Sequence, residues 1–147
     1  MTDRSTVDRF LRDYRVAFER FDVAAVAAFF AFPLQVTGDA ADVTVVSVPA
    51  LDAWVPQIER IVGAYRLLGV ASADARYVRL VSVTSRISQA AINWHLLDAA
   101  GGGVYDFHAS YTLADLGAGL RITAIAHDES PRLMAAVARR HAGGTPA

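Results

Sequence analysis

The residues best able to do chemistry sit in one stretch, VYDFHASYTL, residues 104–113. Tyr105, Phe107, Tyr111 and Leu113 fall on one parity, and Asp106, His108, Ser110 and Thr112 on the other. Successive residues of a β-strand point to opposite faces of its sheet, so the two sets separate. The stretch before it, AAINWHLLD at 90–98, alternates in the same way, and AAGGG between them makes a hairpin connection. Residues opposite one another across a hairpin share a face. Asn93 and His95 therefore travel with Asp106 and His108, while Ile92, Trp94 and Leu96 travel with Tyr105, Phe107 and Tyr111. Imidazole and carboxylate side by side can relay a proton or ligate a divalent cation. Asp106, His95 and His108 are thus candidates for general acid–base work. The pattern NxH…DxH is no recognised metal signature, and no metal site is expected. The plainer expectation is a polar outer sheet face, wet or against another subunit, because any half-buried strand alternates like this.

Other titratable groups are more isolated. Tyr14 lies among Phe10, Ala17, Phe18 and Phe21 at helical spacing, so its hydroxyl can reach a cavity edge from an apolar helix face. Asp39 follows a short apolar run. His127, Asp128 and Glu129 close the last strand-like stretch, where a capping or surface role is expected. His141 stands beside Arg139 and Arg140 near the end of a helical stretch, where a cation suits the helix dipole. Trp54 and Trp94 are large enough to line a cavity, and a buried indole N–H needs a partner. No nucleophile elbow, Gly-rich phosphate loop or metalloprotease helix occurs.

The elements that must position these groups are legible from periodicity and punctuation. A first helix is predicted over 7–20, with Ser5 and Asp8 spaced like a capping box. Asp22 suits the N-cap of a second helix, VAAVAAFFAF, ended by Pro33. PLQVT and VTVVSV then read as two short strands joined through GDAAD. Pro49 fits the first turn of a third helix, on which Leu51, Trp54, Val55, Ile58, Ile61, Val62 and Tyr65 form an apolar stripe. LLGVASADA is predicted as a loop. Four strands follow: RYVRLVSVTS, AAINWHLLD, VYDFHASYTL and LRITAIAHD. SPRLMAAVARRH is a terminal helix with Ser130 as cap, and AGGTPA a frayed tail. Helices gathered before an antiparallel meander indicate an α+β fold, with helices on one side of a bent sheet. The organisation expected is one domain over 1–130 and a C-terminal helix and tail over 131–147. The aromatic parity of 104–113 should face the helices, whose apolar stripes need a partner.

Composition narrows the classes further. A chain of 147 residues makes one domain with a real core. No apolar run reaches the ~20 residues of a membrane span. The charged start MTDRSTVDRF has no apolar signal core, so a cytoplasmic location is expected. There is no Cys, hence no disulfide, thiolate nucleophile or thiolate metal site. All 14 basic residues are Arg, which removes Schiff-base lysine chemistry and a P-loop lysine. With a net charge of −1, the chain lacks the electrostatic term that drives nucleic-acid binding.

Three segments resemble the nuclear-transport-factor-2-like superfamily, also called SnoaL-like or ketosteroid-isomerase-like: AFERFDVAAVAAFF, INWHLLDAAGGGVYDFHASYTL and GAGLRITAIAHD. The resemblance runs over about residues 7–128. It departs at Phe21, where the family usually has Gly before the Asp cap, and at Leu120, where it often has Trp. What it implies is a cone-shaped, cystatin-like domain with a pocket between the helices and the concave sheet, commonly a homodimer through the sheet's other face. Relatives include isomerases, dehydratases, epoxide hydrolases, cyclases and adaptors, so the resemblance leaves function open. The steroid-isomerase pattern of one Tyr and two carboxyl groups is matched at Tyr14. Its base falls near Gly38, one residue before Asp39, and its neutral acid falls on Ala109. Losing one oxyanion donor can cost on the order of 100-fold in rate, so steroid-type isomerisation is not expected.

Three functions compete. The leading one is binding of a small, mostly apolar molecule, without cofactor, in a pocket lined by Tyr14, Val36, Trp54, Ile58, Trp94, Phe107 and Tyr111. The second is a cofactor-independent lyase, isomerase or hydrolase using Tyr14, Asp39, His95, Asp106 and His108. The third is a dimerisation module with a filled core and no ligand.

Overall fold

The structure, a computed structural model, describes residues 3–143. Its elements in chain order are α1 (Arg4–Glu19), α2 (Val23–Ala27), β1 (Phe30–Asp39), β2 (Val43–Val48), α3 (Leu51–Leu68), β3 (Val70–Ser82), β4 (Ile87–Asp98), β5 (Gly103–Asp115), β6 (Leu120–His127) and α4 (Glu129–Ala142). One sheet holds all six strands in the order β2-β1-β6-β5-β4-β3. β3 to β6 form an antiparallel meander, and β1 joins it parallel to β6. Register shifts interrupt the β1–β6, β3–β4, β4–β5 and β5–β6 ladders. Such irregularities bend and twist a sheet, and this one curls strongly around the helices. The result is the expected α+β, cystatin-like cone.

Each helix lays one apolar stripe against the concave face. On α1 the stripe is Val7, Leu11, Tyr14 and Ala17, and on α3 it is Trp54, Ile58, Val62, Tyr65 and Leu68. α1 begins earlier than predicted because Asp3, rather than Ser5, caps it, its carboxylate accepting the Thr6 N–H at 2.9 Å. Asp22 caps α2 as expected, accepting from the Ala25 N–H at 3.0 Å. α3 starts after Pro49, carries Pro56 within it and ends at Gly69, whose φ of 72° supplies a left-handed cap. Phe21 also adopts a left-handed φ, 55°, a conformation costly for a side chain of its size. It is the position at which the family this chain resembles usually has Gly. Its ring lies under the Arg66 guanidinium, 4.8 Å from the centroid.

Several predicted boundaries shift. α2 ends at Ala27, well before Pro33, because Phe29 and Phe30 are drawn into the sheet: the Ile122 N–H donates to the Phe29 carbonyl at 2.8 Å, and Phe30 pairs with Ile122. The predicted loop at 67–75 is the end of α3 followed by the first half of β3, which pairs with the far end of β4. α4 begins at Glu129, two residues before the boundary expected, and packs against β5, β1 and α3. The expected frayed segment lies from residue 144 onward outside the described residues. No helix among the described residues is long and apolar enough to cross a membrane.

Candidate functional site

Between α1, α3 and the concave sheet lies a cavity of about 80 Å³. Along α3 its wall runs from Trp54 through Ile58 and Ile61 to Tyr65. Steps of four, three and four residues put these side chains on one face of successive turns. α1 contributes Tyr14, Arg15 and Phe18. The sheet contributes Phe30, Ala73, Trp94, Leu96, Phe107, Ala109, Tyr111 and Ile125, and His127 and Glu129 close one end. Arg15, Ile61 and Ala73 are themselves part-exposed, so on their side the wall reaches the surface.

β5 decides which side chains enter. Its burial alternates strictly, with Tyr105, Phe107, Ala109, Tyr111 and Leu113 buried and Asp106 and His108 exposed. Of the residues expected on the pocket wall, Tyr14, Trp54, Ile58, Trp94, Phe107 and Tyr111 all stand there. Val36 does not. It pairs with Ile125 from the next strand out, and the cavity stops at Ile125.

The candidate acid–base set does not converge in this cavity. Tyr14 alone of the five lines it. His95 and Asp106 face each other across β4 and β5 in the expected register, Nδ1 to Oδ1 at 2.7 Å, but on the outer face of the sheet. His108 projects from that same face and meets Asp128 rather than His95, Nδ1 to Oδ2 at 2.8 Å. Asp39 ends β1 and lines an open groove of about 460 Å³ with His108, His127 and Asp128. The cause is the same alternation: a strand that buries its aromatic parity must turn its Asp and His parity outward. No group of three or more His, Cys, Asp or Glu placed to hold a metal occurs among the described residues.

The polar chemistry of the cavity comes instead from Glu129. Its backbone begins α4 at the surface, but its carboxyl end points inward. Oε2 accepts the hydroxyls of Tyr65 at 2.5 Å and Tyr105 at 2.7 Å, and Oε1 makes no hydrogen bond among the described residues. Burial pushes this carboxyl above the ordinary range for a glutamate, although the two phenol donors pull the other way. Burial likewise raises the Tyr65 and Tyr105 phenols, with the Glu129 charge adding to it. The Tyr14 and Tyr111 phenols are raised for the same first reason. Tyr111 accepts the indole N–H of Trp94 at 2.9 Å, which fixes that ring. The indole nitrogen of Trp54 is buried without a hydrogen-bond partner among the described residues. His127 accepts the Glu129 backbone N–H on Nδ1 at 3.0 Å, and burial lowers its pKa, with the Asp128 charge pulling the other way.

His127, Asp128 and Glu129 were expected to cap the helix or face solvent. Asp128 does stand at the N-cap of α4, but its carboxylate makes no cap hydrogen bond. It accepts from the His108 backbone N–H at 2.7 Å and pairs with the His108 ring. Burial alone would raise its pKa, but these partners and Arg132 hold it below the usual value. No local signal marks Glu129 as internal. A glutamate in the first turn of a helix reads as a dipole-compensating surface residue. Tyr65 and Tyr105 were legible only as members of apolar stripes.

Comparison with known proteins agrees with this architecture. No curated protein matches the sequence significantly. Among solved structures, an NTF-2 like protein of unknown function from Shewanella oneidensis superposes with a TM-score of 0.67 at 10% identity, covering 84% of this chain and 97% of that one. An NTF2-like protein with a cystatin-like fold from Novosphingobium aromaticivorans gives 0.66 at 14%, covering 92% and 88%. A candidate ketosteroid isomerase from Shewanella frigidimarina gives 0.63 at 15%, covering 85% and 96%. At such identities the likeness is one of fold. The sequence pattern of one family matches residues 3–130, nearly the whole cone, and the chain belongs to that family, described as NTF2-like protein (DUF6841).

Proposed function

We propose that this protein binds a small, mostly apolar molecule in the cone between α1, α3 and the sheet. The observation that carries this reading is the aromatic wall of Tyr14, Trp54, Trp94, Phe107 and Tyr111 around an interior space. Apolar pockets with a few fixed polar groups are the common form of small-molecule sites. Two tryptophans on the wall provide the readout, because a ligand in contact with them changes their fluorescence. Titration with an apolar dye should saturate and be reversed by small hydrophobic competitors. Native mass spectrometry of protein purified without added ligand should reveal any co-purified molecule. A dye signal unchanged by Trp54→Phe and by Ile58→Trp, which fills the space, would exclude this pocket as the site.

A second reading is cofactor-independent proton-transfer chemistry. It is favoured by Glu129, a buried carboxyl with one free oxygen on the wall beside Tyr14. Turnover of isomerisation or dehydration substrates, abolished by Glu129→Gln and unchanged by His95→Ala, would support it. We also propose a homodimer through the outer sheet face. Sedimentation at the mass of a single chain, across micromolar concentrations, would remove that part.

A further inference from the structure

Glu129 is the sole carboxyl on the cavity wall, and no ion pair reaches it among the described residues. Arg15, the cation on the same wall, is only part-exposed: its Nε is buried, 3.9 Å from Glu19 Oε1, and makes no hydrogen bond among the described residues. Both phenol donors are spent on Oε2, which leaves Oε1 open. The rest of the surroundings is aromatic: Tyr14, Phe18, Tyr65, Trp94 and Phe107 share the wall. A buried carboxylate is costly unless paired with a cation and hydrogen-bonded. Aromatic faces attract cations too, most strongly where water is excluded. A neutral apolar ligand would leave Oε1 unanswered, whereas an ammonium group would supply a counter-charge that favours the carboxylate, a donor for Oε1 and a fit to the rings.

Resting on the binding reading above, we propose that the cavity selects a small lipophilic amine. It binds as the ammonium ion, donating N–H to Glu129 Oε1 and laying its hydrocarbon part against Trp54, Ile58, Trp94 and Phe107. The space of about 80 Å³ sets the size. An apolar protein cavity of roughly 150 Å³ takes benzene, so a space about half that size fits a short alkyl amine rather than a ring.

The pH dependence follows from the groups facing the carboxyl. These are Tyr65 on α3, Tyr105 and Tyr111 on β5, Tyr14 on α1, and His127 and Asp128 beside it. The phenols are all raised and stay neutral. In the free protein Glu129 keeps its proton above the ordinary carboxylate range. Pairing with an ammonium requires the carboxylate, so binding releases that proton. Affinity therefore rises as pH climbs through the titration of Glu129, levels off above it, and falls as the amine itself deprotonates near pH ~10.

The test is calorimetric titration of the full chain with ethylamine, propylamine and butylamine, each against the alcohol of the same carbon skeleton, in wild type and Glu129→Gln. A charge-assisted hydrogen bond predicts amines bound about ten-fold more tightly than alcohols in the wild type, and a ratio below about two-fold in the variant. Alcohols binding as tightly as amines, or a preference that survives Glu129→Gln, would overturn the proposal while leaving the pocket reading intact. Failure of both classes to bind would overturn both. Should Glu129→Gln not fold, the wild-type ratio and its rise with pH decide the matter.

Discussion

Tyr111→Phe isolates one atom of the cavity wall. The phenol oxygen of Tyr111 accepts the Trp94 indole N–H at 2.9 Å, and the two residues are 3% and 4% exposed. The substitution keeps the ring, including its edge-on contact with Tyr14 at a centroid distance of 5.9 Å. What it removes is the acceptor, leaving a buried indole N–H unpaired. An unsatisfied buried donor costs about 1–3 kcal/mol. Relief from burying the phenol oxygen offsets part of that, so the expected net loss is about 2 kcal/mol. For a domain of this size that corresponds to a fall in Tm of roughly 4–8 °C. The assay is urea unfolding followed by tryptophan fluorescence, in which the midpoint should move while the slope stays constant. Trp94→Phe and the double variant complete a cycle, and the double variant should be less destabilised than the sum of the singles by about 1 kcal/mol. A Tyr111→Phe protein within about 0.5 kcal/mol of wild type, or an additive cycle, would refute the reasoning.

Other outcomes follow from the same geometry. Glu129 is raised in the folded state above the ordinary 4.5, so its neutral form contributes stability that is complete below that value and is lost as pH climbs through the folded one. Unfolding midpoints of wild type should accordingly fall across that window relative to Glu129→Gln, and parallel pH profiles would contradict the burial of the carboxyl. The His95–Asp106 pair lies on the outer face with Asp106 56% exposed, so Asp106→Asn should change stability by less than about 1 kcal/mol in chemical denaturation. It should also leave dye binding in the cavity unaltered, and a large loss there would place the pair in the site after all. Leu113 is fully buried at the far end of β5, and Leu113→Ala should cost about 2–5 kcal/mol in urea unfolding.

The site was legible in the sequence to the extent that it lies on elements with strong periodicity. The i, i+4 spacing of Trp54 and Ile58 put both on the inner face of α3, and the parity of 104–113 put Phe107 and Tyr111 beside Trp94. Val36 carried the right parity but stood one strand too far out. Asp39, His95, Asp106 and His108 were chosen for residue type, and chemistry alone does not say on which side of a sheet a residue ends. Glu129 lay beyond reach because its role depends on Tyr65 and Tyr105, 64 and 24 residues earlier in the chain.

By itself the sequence determined the class of fold, the helical stripes, the strand alternation and the pairing of β4 with β5. These follow from local periodicity and short turns, in which each residue's neighbours are close in the chain. Only the tertiary structure decided the rest. The parallel pairing of Phe30 with Ile122 turned the end of a predicted helix into a strand, because backbone groups far apart in sequence satisfied one another at the sheet's centre. The packing of α4 onto β5 then carried Glu129 inward. A carboxyl that reads as surface in the sequence thereby became the one acid of the cavity, its charge raised in cost by burial and steadied by two phenols that the chain brings together only when folded.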